Sequence, residues 1–253
     1  MNILWHMPTL RRSMCGLSIR AIRLANELVR RGDMVTFAVS AAKTDVEGSE
    51  VDGIPLIKTP AVDARPIHWS FQAQARSRSA RRQVSAISFD HDLFISCQPE
   101  AVVAYRELNP RSPLMFVCGG TTLLHDAADR TREIRYSGLR RACFALDRRL
   151  KTANERAAFH AADAIVFDSE STCGRVIAAH RVPYRKCHPV HGGVNPSCHR
   201  PPSDEDRAAA RFTLGIAPRE IIALWTGRIS IEKNLEVMID AMGIGLIMPI
   251  MPD

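Results

Sequence analysis

Apolar residues in this 253-residue chain fall into short runs, separated by longer stretches where they recur at helical spacing. Residues 3–5 form the first run, and a loop follows from Pro8 to Gly16. Ser18 is then placed to cap a helix in which Ile19, Ile22, Ala25, Leu28 and Val29 share one face. Arg30 and Arg31 fill its last turn and Gly32 ends it, before a second apolar run at residues 34–39. Strand, glycine-containing turn, helix and strand predict a right-handed parallel unit.

The alternation continues along the chain. Strands are expected at residues 53–58, 93–96, 114–118 and 164–167, and helices at 100–108, 134–162 and 170–180. Asp168 or Ser169 is placed to cap the last of these helices, and residues 189–195 read as a final strand and turn. The polar, proline-bearing stretch from Arg200 reads as a linker. A new strand is expected from Ile221 and a helix over 235–242. The fold class is therefore α/β with a mostly parallel, Rossmann-like sheet. The domains are residues 1–200 and a second segment, 201–253, holding a linker and the first strand and helix of another Rossmann-like domain.

Composition narrows the class. Hydrophobic content of 46% and charged content of 24% are ordinary globular values and argue against disorder. A net charge of +7 permits an anionic partner without choosing one. The N-terminus lacks the pattern of a signal peptide, and no apolar stretch approaches a membrane span. Seven cysteines with no C-x-x-C pair suit a reducing compartment. The expected location is cytoplasmic, with association at the inner membrane face.

The densest chemistry lies near residues 221–234. An apolar run stops at Gly227, Arg228 and Lys233 follow, and a helix begins, which is an arrangement suited to a phosphate. Three further stretches carry a resemblance: Gly16 with Ala21-x-x-Leu24 and Glu27 through Gly32, Glu155 with Ala162-Asp163 through Ser169, and His191-Gly-Gly-Val-Asn195. In that order, and with Gly227-Arg228 and Lys233-Asn234, the chain resembles the retaining GT-B glycosyltransferases of the family 4 type.

The resemblance implies two Rossmann-like domains facing across a cleft, with transfer of a sugar from a nucleotide-sugar donor. It implies that Arg228 and Lys233 contact the donor diphosphate and that the backbone at Gly16 approaches the donor from the opposite domain. His125 would be the histidine that touches the donor sugar, although Gly119-Gly120 competes for that strand end. Gly16 as a plain turn glycine and His125 as a loop histidine without function are both open. No cofactor and no metal are implied, since cations and a helix N-terminus can stabilise the departing diphosphate. The Glu-x7-Glu motif of that family does not follow Lys233, and residues 243–253 depart from its pattern. The expectation is a truncated donor domain and a chain that is impaired or inactive alone. The alternative is a non-catalytic domain that binds an acceptor or a partner.

Other clusters carry less. Glu155 reads as structural, an ion-pair partner for a nearby Arg. Cys187, His188, His191, Cys198 and His199 offer ligand side chains, but their spacing fits no standard zinc pattern. Residues 65–82 hold five Arg and no acid, and residues 129–151 hold eight cations against three acids. These segments are either solvated helix faces or a surface for an anionic bilayer carrying a lipid-linked or glycan acceptor. Nucleic acid is a weaker partner, because aromatic content is only 6% and no nucleic-acid motif is present. A dinucleotide enzyme would need G-x-G-x-x-G in the first loop, where Gly16 stands alone.

Overall fold

A computed structural model of the chain describes residues 1–11, 16–60, 72–87, 90–122, 137–193, 200–225 and 235–242. Its strands are β1 (Asn2–Met7), β2 (Met34–Ser40), β3 (Glu50–Val51), β4 (Ile54–Thr59), β5 (Leu93–Ser96), β6 (Leu114–Cys118), β7 (Ala164–Phe167) and β8 (Cys187–Pro189). Its helices are α1 (Gly16–Arg30), α2 (Gln72–Ser85), α3 (Pro99–Leu108), α4 (Gly138–Ala161), α5 (Glu170–His180), α6 (Asp204–Thr213) and α7 (Leu235–Ala241). The chain divides into two compact units, Met1–His191 and Gly192–Asp253.

Among the described residues, the eight strands all belong to the first unit and form one sheet in the order β3-β4-β2-β1-β5-β6-β7-β8. Only the short β3–β4 pair is antiparallel. From β1 the chain steps outward to β2 and β4 on one side. From β5 it steps outward to β6, β7 and β8 on the other. Crossovers of one hand then place α1 on one face of the sheet and α2 to α5 on the opposite face.

The core follows that division. Ile3, Trp5 and Met7 of β1 pack with Ala21, Ile22 and Ala25 of α1 and with Val35, Phe37 and Val39 of β2. Leu4, between them, faces the other way and joins Val84, Phe94, Tyr105, Phe116, Phe159 and Phe167. Strands covered on both faces read as nearly unbroken apolar runs, which is why β5, β6 and β7 are evident in the sequence. Phe94 and Tyr105 stack at 3.9 Å between β5 and α3.

Helix ends follow from local chemistry. Gly32 takes the left-handed conformation (φ +94°) after α1, where a side chain would be strained. The Ser169 hydroxyl accepts the Thr172 N–H and caps α5. Ser18, expected as a cap, instead lies inside α1: it is buried, donates to the Thr9 carbonyl and accepts the Arg11 N–H. Its hydroxyl ties the loop after β1 to the helix rather than starting it. Helix α2, which carries the first basic segment, has too few apolar residues to announce itself by period. Small residues such as Ala73 and Ala80 supply its buried face.

The second unit differs from expectation in two places. The stretch read as a linker begins helix α6, because Ser203 and Asp206 form a reciprocal capping box at its start. Residues 221–225, read as a strand, form none, and Ile221 is 90% exposed. A strand needs a partner for its backbone groups, and none pairs with it among the described residues. The strand expected over 189–195 falls earlier, at β8, which ends at Pro189; just beyond it the Val190 N–H still donates to the Phe167 carbonyl of β7 at 2.8 Å.

Candidate functional site

Strands β1 and β5 lie side by side, but the chain leaves them toward opposite edges of the sheet. Such a reversal opens a crevice at the carboxyl ends of the strands. Helix α1 begins at that end, and its first turn contains no acidic residue to neutralise the exposed N–H groups. Gly16, the predicted donor-approach glycine, is the first residue of α1, is exposed, and has no atom within 4 Å of a Cβ built on it.

The exits of β6 and β7 complete the crevice. A Cβ on Gly119, just past β6, would stand 3.8 Å from the Asp168 carboxylate and 4.0 Å from the Leu17 side chain. Asp168 follows β7 and forms an ion pair with Arg20 of α1. Leu17, Arg20, Gly119 and Asp168 thus bring α1, β6 and β7 together around a glycine floor. The sequence offers Asp168 as a candidate cap, inside the stretch that ends at Ser169, and gives no signal for its pairing with Arg20, which lies 148 residues away.

Glu155 fixes the continuation of β6. Its carboxylate accepts the Thr122 backbone N–H at 2.9 and 3.0 Å and the Thr122 hydroxyl at 2.8 Å. Glu155 is buried, so these charge-assisted bonds replace water that the carboxylate has lost. The role these bonds give Glu155 is that of a backbone anchor for Thr122. Asp147, one more buried carboxylate of α4, accepts the Ala73 N–H at 2.8 Å and pairs with Lys151. Helix α4 therefore secures both the start of α2 and the exit of β6.

Below the crevice, His6 of β1 is fully buried against Phe94. Its Nε2 donates to the Gln83 side-chain Oε1 at 3.2 Å, and its Nδ1 accepts from the Ser96 hydroxyl at 3.2 Å. Burial pushes its pKa down to about 4, so the ring is neutral and ties β1, β5 and α2 together. Burial also pushes the Cys118 thiol at the end of β6 up to about 12, which leaves it a poor nucleophile.

Three predicted site residues lie outside the described residues: His125, Arg228 and Lys233. The same holds for Cys198 and His199 of the ligand-rich stretch. Among the described residues, no group of three His, Cys, Asp or Glu side chains is arranged to hold a metal ion. Among them also, no helix is long and apolar enough to cross a membrane.

Known proteins resemble this chain in sequence and in fold. The D-inositol 3-phosphate glycosyltransferases of Mycobacterium sp. strain KMS and of Mycobacterium marinum are 29% identical over 92 residues, 36% of this chain and about a fifth of theirs. Among solved structures, sucrose-phosphate synthase from Thermosynechococcus elongatus superposes with a TM-score of 0.66 at 14% identity, over 96% of this chain and 59% of that one. WaaG, a glycosyltransferase involved in lipopolysaccharide biosynthesis, gives 0.56 at 13% identity, over 93% and 58%. The chain spans less than two thirds of the length of each of these relatives. Its sheet and helices are of the Rossmann-like GT-B type. The model of Glycosyltransferase Family 4 matches residues 14–197, most of the chain and nearly all of the crevice-bearing unit after β1, and the chain belongs to that family.

Proposed function

We propose that this chain serves the transfer of a sugar from a nucleotide-sugar donor to a glycan or lipid-linked acceptor, without a metal and with retention of configuration. The observation that carries the proposal is the glycine-floored crevice at the switch between β1 and β5, edged by the unneutralised start of α1. A helix N-terminus favours the negative charge that develops on a departing diphosphate. Gly16 and Gly119 leave room for donor atoms to approach the backbone. Arg228 and Lys233 supply whole charges to the diphosphate, and His125, three residues beyond the anchored Thr122, addresses the donor sugar.

The acceptor side belongs to residues 1–200, where a surface fits an anionic bilayer. Helix α4 exposes Leu139 (81%) and Leu146 (45%) seven residues apart, flanked by Arg140, Arg141 and Arg149. Beside it, α2 carries Arg76, Arg78, Arg81 and Arg82. A cavity of about 250 Å³ lies between the helices, lined by Arg78, Gln74, Ser77, Leu150 and Asn154. Apolar side chains among guanidinium groups suit the headgroup region of an anionic membrane.

The test is transfer of label from a radioactive nucleotide sugar into a membrane extract by the 253-residue chain, for which slow but measurable transfer, that of an impaired enzyme, is the expected outcome. Arg228→Ala and Lys233→Ala should each reduce transfer about tenfold or more. Acceptor binding without measurable affinity for any nucleoside diphosphate would favour the non-catalytic acceptor-binding reading instead.

A further inference from the structure

Strand β7 ends at Phe167 and α5 begins at Glu170, so two residues make the turn between them. Ser169 caps the helix with its hydroxyl, which leaves Asp168 outside the cap. The Asp168 side chain reaches instead to α1, where Nη1 of Arg20 meets its Oδ1. Its other oxygen, Oδ2, lies toward Gly119 and has no hydrogen-bond partner among the described residues. We propose that Asp168 is a sugar-binding residue of the crevice, whose Oδ2 accepts a ring hydroxyl, and that Arg20 positions it. The inference deepens the proposed sugar transfer and rests on that reading.

Nothing among the described residues requires a glycine at 119. Its φ is not positive, so its backbone conformation is open to other residues. A Cβ there would stand 3.8 Å from Oδ2 and 4.0 Å from the Leu17 side chain, both ordinary contacts. The missing side chain therefore leaves space beside a carboxylate oxygen without relieving a clash. A hydroxyl oxygen about 2.6 Å from Oδ2, the usual spacing for a bond to a carboxylate, has room in that space. The Asp168 side chain is 40% exposed, so a ligand can reach it.

The two walls of this space differ in character. Asp168 offers a hydrogen-bond acceptor, and Leu17 offers a methyl group. A sugar ring has matching sides, with hydroxyls at its rim and C–H bonds on its faces. A phosphate would instead meet a carboxylate of its own sign. The ring, rather than the diphosphate, stands over Gly119. The ion pair with Arg20 holds the carboxylate in one orientation, so binding does not have to order it. Donor sugar and acceptor glycan both carry such a hydroxyl, and the choice of probe separates them.

The experiment follows the Gly119 and Asp168 amide signals of the full chain by NMR. The probes are glucose and mannose, UDP-glucose and GDP-mannose, UDP and GDP, and inorganic pyrophosphate. Both amides should shift with a sugar-bearing probe and stay unmoved with pyrophosphate. A response to the free sugars identifies the acceptor as the source of the hydroxyl. A response to a nucleotide sugar that neither the free sugar nor the bare nucleotide produces identifies the donor. Asp168→Asn should weaken the responding probe about tenfold, and Arg20→Gln about as much. Arg20→Lys, which keeps a cation beside Oδ1, should recover most of the binding. A half-exposed ion pair adds little to stability, so these variants should fold. A merely structural pair would leave the affinity unchanged. Unmoved amides with every sugar-bearing probe, full affinity in Asp168→Asn, or an equal response to pyrophosphate would overturn the proposal. UDP or GDP felt in the first turn of α1, with no sugar response at Asp168, would overturn this inference and leave the proposed transfer standing. A free-sugar response without binding of either nucleotide would support Asp168 as a sugar-binding residue and replace transfer by the acceptor-binding reading.

Discussion

The Glu155 carboxylate grips both the backbone N–H and the hydroxyl of Thr122, joining the middle of α4 to the exit of β6. Glu155→Ala leaves that N–H without its acceptor. Stability should fall by about 2 kcal/mol, and Glu155→Gln, which keeps one acceptor oxygen, should lose about half as much. Urea denaturation of the three proteins measures both.

Gly119 allows the crevice to be tested apart from stability. The Cβ of Gly119→Ala would meet Asp168 and Leu17 only at ordinary contact distances of 3.8 and 4.0 Å. The melting temperature should hardly move, with a change under about 0.5 kcal/mol. A methyl group on the crevice floor should nevertheless weaken nucleotide-sugar binding about tenfold, read by calorimetry.

His6 makes stability depend on pH. The unfolded chain protonates this histidine near pH 6.5, while the folded chain resists until about 4. Between those values the unfolded state binds more protons, so stability falls as the solution is acidified. The loss across the window should approach about 3 kcal/mol. His6→Gln should remove that part of the slope in denaturation curves taken from pH 7 to 4 (about one curve per half unit suffices to resolve it).

The basic face predicts vesicle binding. Co-sedimentation should be stronger with phosphatidylserine vesicles than with neutral phosphatidylcholine ones. Reversing Arg140, Arg141 and Arg149 to Glu should weaken it by at least about fivefold for each charge removed. Equal binding to both vesicle types would remove the membrane from the account.

Much of the fold was legible because buried parallel strands write themselves as apolar runs. β5, β6 and β7 needed no more than that, and Gly32 and Ser169 marked helix ends by their backbone and hydroxyl chemistry. Ser18 misled because the same hydroxyl that caps a helix can bond from inside one to a neighbouring loop. The apolar stretch from Ile221 has strand composition, but composition cannot supply a pairing partner. Gly16 was legible as a lone glycine before a helix. Arg20 and Asp168 were not, since an ion pair between α1 and the end of β7 leaves no local pattern.

The central claim is that donor atoms meet this chain at the carboxyl ends of its parallel strands. Amide hydrogen exchange with and without a nucleotide sugar tests it most directly. The account predicts slowed exchange in the first turn of α1 and at the exits of β6 and β7, around Gly16, Gly119 and Asp168. Protection confined to the opposite edge of the sheet, around Asp33 and Pro113, or no protection at the strand exits with saturating donor, would contradict it.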